Sequence, residues 1–252
     1  VVGEERLLED LFGAVDRGEI IAHYQPQVDL ATGRIVSAEA LARWRHPELG
    51  VISPAVFIPL AEETALIHGI GRFMIEEVLN AVTRWRSQGI DLEISVNVSA
   101  NQLTTLQFFD QLDDDLARVH LAPNSVTIEI TESYPILDTP SISHRLDELR
   151  QHGLGISIDD YGIGHSWLQQ LERMPATELK LDQSLVQDDS VESLALMTAI
   201  IELAHWRGLR IVAEGVETAE QLERMRELLC DRAQGFLLGR PMPQDELLAL
   251  LR

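Results

Sequence analysis

Most of the β-branched runs in this chain close on a polar side chain. Gln25, Glu39, Asn97, Glu129, the pair Asp159-Asp160, Lys180, Glu214 and Gln234 all stand at or near such an end. A helix N-cap or a solvated loop explains any one of them. Together they resist that explanation, because independent caps give no reason for acids to end runs such as Ser125-Val126-Thr127-Ile128-Glu129 and Ile211-Val212-Ala213-Glu214. Five carboxylates brought to one place with the Asn97 carboxamide repel one another unless something positive sits between them. Hard oxygen donors of this kind suit Mg²⁺ or Mn²⁺. The single Cys230 and the scattered histidines offer no zinc or iron set. The adjacent Asp159 and Asp160 could bridge two ions, and two metals about 3.5–4 Å apart are the usual device for hydrolysing a phosphodiester. Lys180 in the same place could hold a water or hydroxide nucleophile, or stabilise phosphate charge.

Two other chemistries use similar residues. A lysine at a strand end can be a Schiff-base nucleophile, but acidic neighbours raise its pKa and keep the amine protonated. A glycosidase needs two acids and a stacking cleft. With 4 Trp, 3 Tyr and 6 Phe, the chain is poor in aromatic platforms and richer in acids than that chemistry requires.

The elements that position these residues alternate throughout. Strand-like runs cover Ile20 to Val28, Arg34 to Leu41, Leu92 to Val98, Ser125 to Ile130, Gly155 to Ile158, Glu178 to Leu181, Leu209 to Ala213 and Ala233 to Leu237. Helical patterns fall at Glu4 to Arg17, Pro54 to His68, Gly71 to Gln88, Leu106 to Val119, Ser141 to His152, Val191 to Trp206 and Thr218 to Leu229. Asp138 or Thr139 is the expected cap before Ser141, and Thr218 with Gln221 forms a capping box. The link from Asp29 to Gly33 is too short for a parallel crossover, so the first two strands pair antiparallel. Eight strands with helices between them over 252 residues predict an α/β fold, a TIM-like (β/α)8 barrel with an antiparallel first strand. A doubly wound open sheet is the alternative. Trp44, Trp85 and Trp206 are expected to pack between helices and sheet, and Asp113-Asp114-Asp115 to form a solvated helix edge.

Composition bounds the function. Hydrophobic residues at 45% supply a core, and 20 Lys and Arg against 41 Asp and Glu leave a net charge of −21. Such a surface repels duplex nucleic acid and anionic membrane. A lone cysteine fits a reducing compartment. There is no apolar run of about 20 residues for a membrane span and no signal-peptide pattern, so the expected location is cytoplasmic. The chain reads as a single domain over 1–252, and its start without Met fits excision from a longer multidomain chain.

Several segments resemble the EAL domain family, whose active members are cyclic di-GMP phosphodiesterases. They are Tyr24-Gln25-Pro26, Glu39-Ala40-Leu41 with Arg43-Trp44, Asn97-Val98-Ser99, Glu129-Ile130-Thr131-Glu132, Asp159-Asp160-Tyr161-Gly162, Leu179-Lys180-Leu181-Asp182, Glu214-Gly215-Val216-Glu217 and Gln234-Gly235-Phe236. The resemblance runs from about Ile20 to Pro243. It implies that Glu39, Asn97, Glu129 and Asp159 bind one metal, and that Asp159, Asp160 and Glu214 serve a second. It implies that Lys180 orients the attacking water and that a nearby carboxylate, Asp160 or Glu214, accepts its proton. Gln25, Leu41, Arg43 and Gln234 match substrate-binding positions, while Glu132 and Glu217 match site-supporting acids. If the chain turns helical after Glu39, Arg43 shares its face four residues on.

The implied reaction is Mg²⁺- or Mn²⁺-dependent hydrolysis of cyclic di-GMP to the linear 5′-phosphorylated dinucleotide, in a homodimer, with a regulatory or cyclase domain in the full-length chain. The alternative is a receptor that binds the nucleotide without cutting it, as family members lacking metal ligands do; here those ligands are all present. Tyr161, Ile163, His165 and Trp167 depart from the family's usual Phe, Thr, Tyr and Ser in a loop that couples the site to dimerisation.

Overall fold

A computed structural model of the protein describes residues 3–131, 140–162 and 174–251. Its strands are β1 (Ile20–Asp29), β2 (Ile35–His46), β3 (Gly50–Ile52), β4 (Glu93–Asn97), β5 (Val126–Thr131), β6 (Gly155–Tyr161), β7 (Glu178–Leu181), β8 (Arg210–Ala213) and β9 (Arg232–Gln234). The helices are α1 (Glu4–Leu11), α2 (Pro54–Glu62), α3 (Leu66–Ser87), α4 (Ala100–Leu103), α5 (Leu106–Arg118), α6 (Pro140–Gln151), α7 (Gln183–Gln187), α8 (Val191–Trp206), α9 (Ala219–Glu227) and α10 (Gln244–Leu250). Among these residues no helix is long and apolar enough to cross a membrane.

The strands follow the order β1-β9-β8-β7-β6-β5-β4-β2-β3, and β1 also pairs with β2, which closes eight of them into a barrel. β1 runs antiparallel to both its neighbours, with Gln25 opposite Glu39 and Gln27 opposite Gln234. The other strands of the ring are parallel. This is the barrel with a reversed first strand that the short hairpin link predicts.

Strand alternation sorts the side chains into two populations. Ile94, Val96, Ile128, Ile130, Ile156, Ile158, Leu179, Leu181 and Ile211 belong to the buried hydrophobic core that also takes in residues of the surrounding helices. The alternate positions face the barrel axis and are mostly polar, with Gly155 beside Thr127 and buried Val212 beside Lys180 as exceptions. Buried Gln27, Ser37, Ser95, Thr127 and Ser157 form a middle layer. Below it Arg210 and Arg232 both pair with Glu93, and Arg210 also pairs with Glu178. Ordinary (β/α)8 interiors are filled by Val, Ile and Leu.

Several boundaries differ from the sequence reading. α1 stops at Leu11, and Gly13 follows in a left-handed conformation with φ 75°. The break between α2 and α3 falls at residues 63–65, before Gly69 and Gly71, which lie inside α3. Gly71 serves packing there, since a Cβ would lie 2.1 Å from the amide nitrogen of buried Gln102. β2 extends to His46 because β3 pairs with its end, Trp44 opposite Ile52, and β3 was not expected. β9 ends at Gln234, short of Leu237. The Thr218–Gln221 capping box forms. Trp44 and Trp85 are buried as expected, whereas Trp206, in the last turn of α8, is 81% exposed. The expected caps Asp138 and Thr139 lie outside the described residues.

Candidate active site

The C-terminal ends of the strands bring the predicted residues to one mouth, and Lys180 is its centre. The ammonium is fully buried, 2.7 Å from Glu214, 2.8 Å from Glu129, 3.1 Å from Asp159 and 3.5 Å from Glu39. Four strands thus deliver carboxylates to one cation. Burial works to lower the Lys180 pKa, but Asp159, Glu129, Glu214 and Glu39 together hold it well above the ordinary lysine value.

Glu39 is held from three sides. Asn97 donates to one oxygen at 2.6 Å, Gln234 donates to the other at 2.6 Å, and Lys180 supplies the charge. Burial pushes the Glu39 pKa up, and Lys180 with those two hydrogen bonds outweighs it, leaving the group below its usual value. Gln234 also donates to Gln25 at 3.1 Å and accepts from Gln27 at 2.9 Å, while Gln25 donates to the Gly239 carbonyl at 3.0 Å. These amides brace one another and Glu39.

The remaining acids are pushed toward protonation. Burial, reinforced by Glu39, raises Glu129 well above the usual range. Burial raises Asp159 despite Lys180, and lifts Glu214 to about 8. Burial, Asp159 and Asp182 lift Asp160 to about 6. One ammonium does not balance five carboxylates, which is the condition a bound cation relieves.

Consecutive strand residues normally point to opposite faces. Asp160 escapes that rule by adopting a left-handed φ of 56°, next to a register shift between β6 and β7. Its amide donates to Asp159 Oδ1 at 3.0 Å. Asp159, Asp160 and Glu214 consequently offer carboxylate oxygens within 4.8 Å of one another. Glu129 keeps a buried oxygen, Oε1, with no hydrogen-bond partner among the described residues. A cluster of oxygen donors with an unsatisfied buried carboxylate oxygen fits Mg²⁺ or Mn²⁺.

A cavity of about 300 Å³ opens above these groups, lined by Gln25, Glu39, Leu41, Arg43, Glu214, Glu217 and Gln234. A second, of about 380 Å³, lies between β2, β4, α2 and α3 and is lined largely by apolar residues including Ala42, Pro54, Ile58 and Ile67. Leu41 lines both. Arg43 reaches the first cavity from a strand, not from the helical turn expected after Glu39. Glu39, Leu41 and Arg43 share a face because their spacing is two. Arg43 is half-buried and makes no ion pair among the described residues, and burial lowers its pKa.

Glu217 is exposed at the rim, and its backbone amide donates to Gln221 at 2.7 Å. Glu132, Ile163, His165 and Trp167 lie outside the described residues, while Tyr161 is buried at the end of β6. Sequence reasoning did not place Gln183 and Phe236 at the cavity, which both line. Each follows a strand end by two residues, where βα loops gather. Phe236 is 48% exposed, and the Arg240 guanidinium lies 4.1 Å from its ring centre.

The EAL domain family model matches residues 8–241. The chain is 42% identical over 247 residues to the bifunctional diguanylate cyclase/cyclic di-GMP phosphodiesterase MucR of Pseudomonas aeruginosa, covering 97% of this chain and 36% of that protein. It is 36% identical over 231 residues to the cyclic di-GMP phosphodiesterase PA2567 of the same organism, covering 91% of this chain and 39% of that protein. It therefore spans little more than a third of the length of these relatives. Among solved structures, the PaMucR phosphodiesterase in complex with c-di-GMP superposes with a TM-score of 0.90 at 41% identity, covering 96% of this chain and 99% of that one. With its barrel, its reversed first strand and its ring of strand-end acids, the chain belongs to the EAL domain family.

Proposed function

We propose that the protein hydrolyses cyclic di-GMP to the linear 5′-phosphorylated dinucleotide with the help of two divalent ions, Mg²⁺ or Mn²⁺. The observation that carries this reading is the convergence of Glu39, Glu129, Asp159 and Glu214 on buried Lys180. The relatives named as phosphodiesterases, and a neighbouring structure holding c-di-GMP, supply the substrate.

In this reading Glu39, Asn97, Glu129 and Asp159 would hold one ion, and Asp159, Asp160 and Glu214 would serve the other. Bound there, the ions would polarise the phosphate and make water a nucleophile near neutral pH. Asn97 gives its amide hydrogen to Glu39, which leaves its carbonyl oxygen as a donor atom. Lys180 orients the attacking water through an N–H, and Asp160 or Glu214 takes the proton. The water oxygen bonds to phosphorus, the bond to the 3′ oxygen breaks, and that oxygen takes up a proton from solvent, while the acid that accepted the water's proton releases it to solvent. Arg43 offers a fork of donors to a phosphate. Gln25, Leu41 and Gln234 line the substrate cavity, with Glu217 as a site-supporting acid at its rim; Glu132, outside the described residues, has the same supporting role in this reading. The cavities on either side of Leu41 give a two-base ligand a place for each base.

The same reading includes a homodimer, a cytoplasmic location and a regulatory or cyclase domain elsewhere in the full-length protein, the last supported by the greater length of the relatives.

The test is incubation with cyclic di-GMP and Mg²⁺, with and without EDTA, beside Glu39→Ala, followed by chromatography of the nucleotides. Linear dinucleotide that disappears with chelator and in the variant supports the proposal. Tight nucleotide binding without product from the unaltered protein, with either metal, makes it a receptor.

A further inference from the structure

Three buried polar atoms inside the barrel have no partner. Ser95 Oγ, Ser157 Oγ and Glu129 Oε1 meet no hydrogen-bonding group among the described residues. Their residues are 2%, 0% and 1% exposed, respectively. They belong to the adjacent strands β4, β6 and β5.

Register places them together. Ser157 is the cross-strand partner of Glu129, and Ser95 is the partner of Thr127, two residues below Glu129. Ser157 precedes Asp159 by two residues and Ser95 precedes Asn97 by two, so alternation turns both hydroxyls to the barrel axis. The two serines flank β5 on either side, at or just beneath the level of Glu129.

The residue types matter as much as the positions. An unsatisfied buried polar group costs about 1–3 kcal/mol, so native proteins seldom leave hydroxyls such as those of Ser95 and Ser157 without a partner. Serines stand where this fold ordinarily has bulky apolar side chains, so the side chains beside these polar atoms are small. Polar surroundings with space and about three hydrogen-bonding partners are the setting in which buried water is found.

We propose that the barrel binds a water beneath the mouth, bonded to Glu129 Oε1, Ser157 Oγ and Ser95 Oγ, and that Ser157 is through it a positioning residue for Glu129. The water donates to the carboxylate and to one hydroxyl, and accepts from the other. Lys180 holds Glu129 Oε2 at 2.8 Å, so the water fixes the second oxygen and with it the plane of the carboxylate. Each oxygen keeps a further lone pair for a cation. The positioning role rests on the proposed metal-dependent function; the water itself does not.

Ser157→Thr and Ser157→Val test this, because they match in shape and differ in the hydroxyl. A high-resolution crystal structure of the unaltered protein should show a water about 3 Å from all three atoms. Calorimetry with Mn²⁺ alone should show affinity near the unaltered value for Ser157→Thr and weaker by about tenfold or more for Ser157→Val, the usual effect of losing a ligand's outer partner. Hydrolysis should follow the same order. Equal Mn²⁺ affinity in the two variants overturns the positioning role, and a Ser157 hydroxyl bonded directly to protein with no water beside it overturns the site. Should either variant fail to fold, Ser95→Ala replaces the pair; weakened Mn²⁺ binding supports the proposal and unchanged binding refutes it. An unaltered protein that shows the water but cuts no cyclic di-GMP would defeat the proposed function and leave the water site standing.

Discussion

Lys180 Nζ lies 2.8 Å from Glu129 Oε2, and both side chains are wholly removed from solvent. One buried ammonium thus stabilises an acid whose burial otherwise drives it toward protonation. Replacing Lys180 by Met leaves that carboxylate and its neighbours without their cation. Breaking a buried pair costs about 3–5 kcal/mol. Urea unfolding without metal should show a loss of that order, Mn²⁺ should recover more stability in Lys180→Met than in the unaltered protein, and hydrolysis should fall at least about a hundredfold. Metal-free stability equal to that of the unaltered protein would contradict this account of the mouth.

Divalent metal should stabilise the folded chain. An ion present at one hundred times its dissociation constant contributes about 2.7 kcal/mol. For a chain of this size that corresponds to a rise of roughly 5–10 °C in thermal midpoint. Calorimetric scans with Mn²⁺ should show the rise, EDTA should remove it, and Glu39→Ala should reduce it.

Arg43 points into the cavity that Gln25 and Gln234 also line. Hydrogen bonds to charged groups contribute about 1.5–3 kcal/mol, a factor of roughly 10–100. Arg43→Ala should raise KM for cyclic di-GMP by that factor with a smaller change in kcat. Arg43→Lys, which keeps charge and loses the fork, should recover only part of it. Steady-state kinetics on the three proteins decides the matter.

Gly235 follows Gln234 and precedes Phe236. A Cβ at Gly235 would fall 2.1 Å from the Val216 carbonyl oxygen and 2.3 Å from its nitrogen, both backbone atoms that cannot swing aside. Gly235→Ala should destabilise the protein by about 1–3 kcal/mol. Because Gln234 braces Glu39, turnover should fall as well. Denaturant titration and hydrolysis assays on the same variant measure both.

Glu19 takes no part in the acid cluster; it accepts from Arg17 at 2.6 Å and from the Trp44 indole at 3.1 Å. The Arg17 bond, opposed by burial and helped by Trp44, lowers its pKa in the folded state. The unfolded chain holds its proton more tightly, so this contribution is present above the ordinary glutamate value of about 4.3 and lost as pH falls below it. Urea unfolding at pH 7 and pH 4 should show a smaller acid-induced loss in Glu19→Gln than in the unaltered protein.

The mouth was legible in the sequence because its acids end runs of Ile and Val, where no core residue would tolerate them. The reversed first strand was legible from a link too short to cross the barrel. The interior was less so. In Thr127-Ile128-Glu129-Ile130 the period of two already separates an inward polar face from an outward apolar one, yet the strand also reads as an apolar run with a polar tip. Gln183 and Phe236 escaped notice because a loop residue's direction is set by tertiary contacts that no local pattern carries. The sequence reading opens a helix at Gly71, yet this glycine lies inside α3 in close approach to Gln102. Exposed Trp206 shows that side-chain size alone does not settle burial.

Because β1 is reversed, Ile20 at its start pairs with Trp44 near the end of β2, while Asp29 at its finish pairs with Arg232 at the base. The polypeptide therefore enters over the open end of the barrel, not from underneath. α1 is fastened there, with Asp10 3.3 Å from His46 and Arg6 2.6 Å from Glu48. From His46 a single unbroken strand leads down past Arg43 to Glu39. Entry and mouth are thus joined by one continuous strand, with no loop between His46 and Glu39.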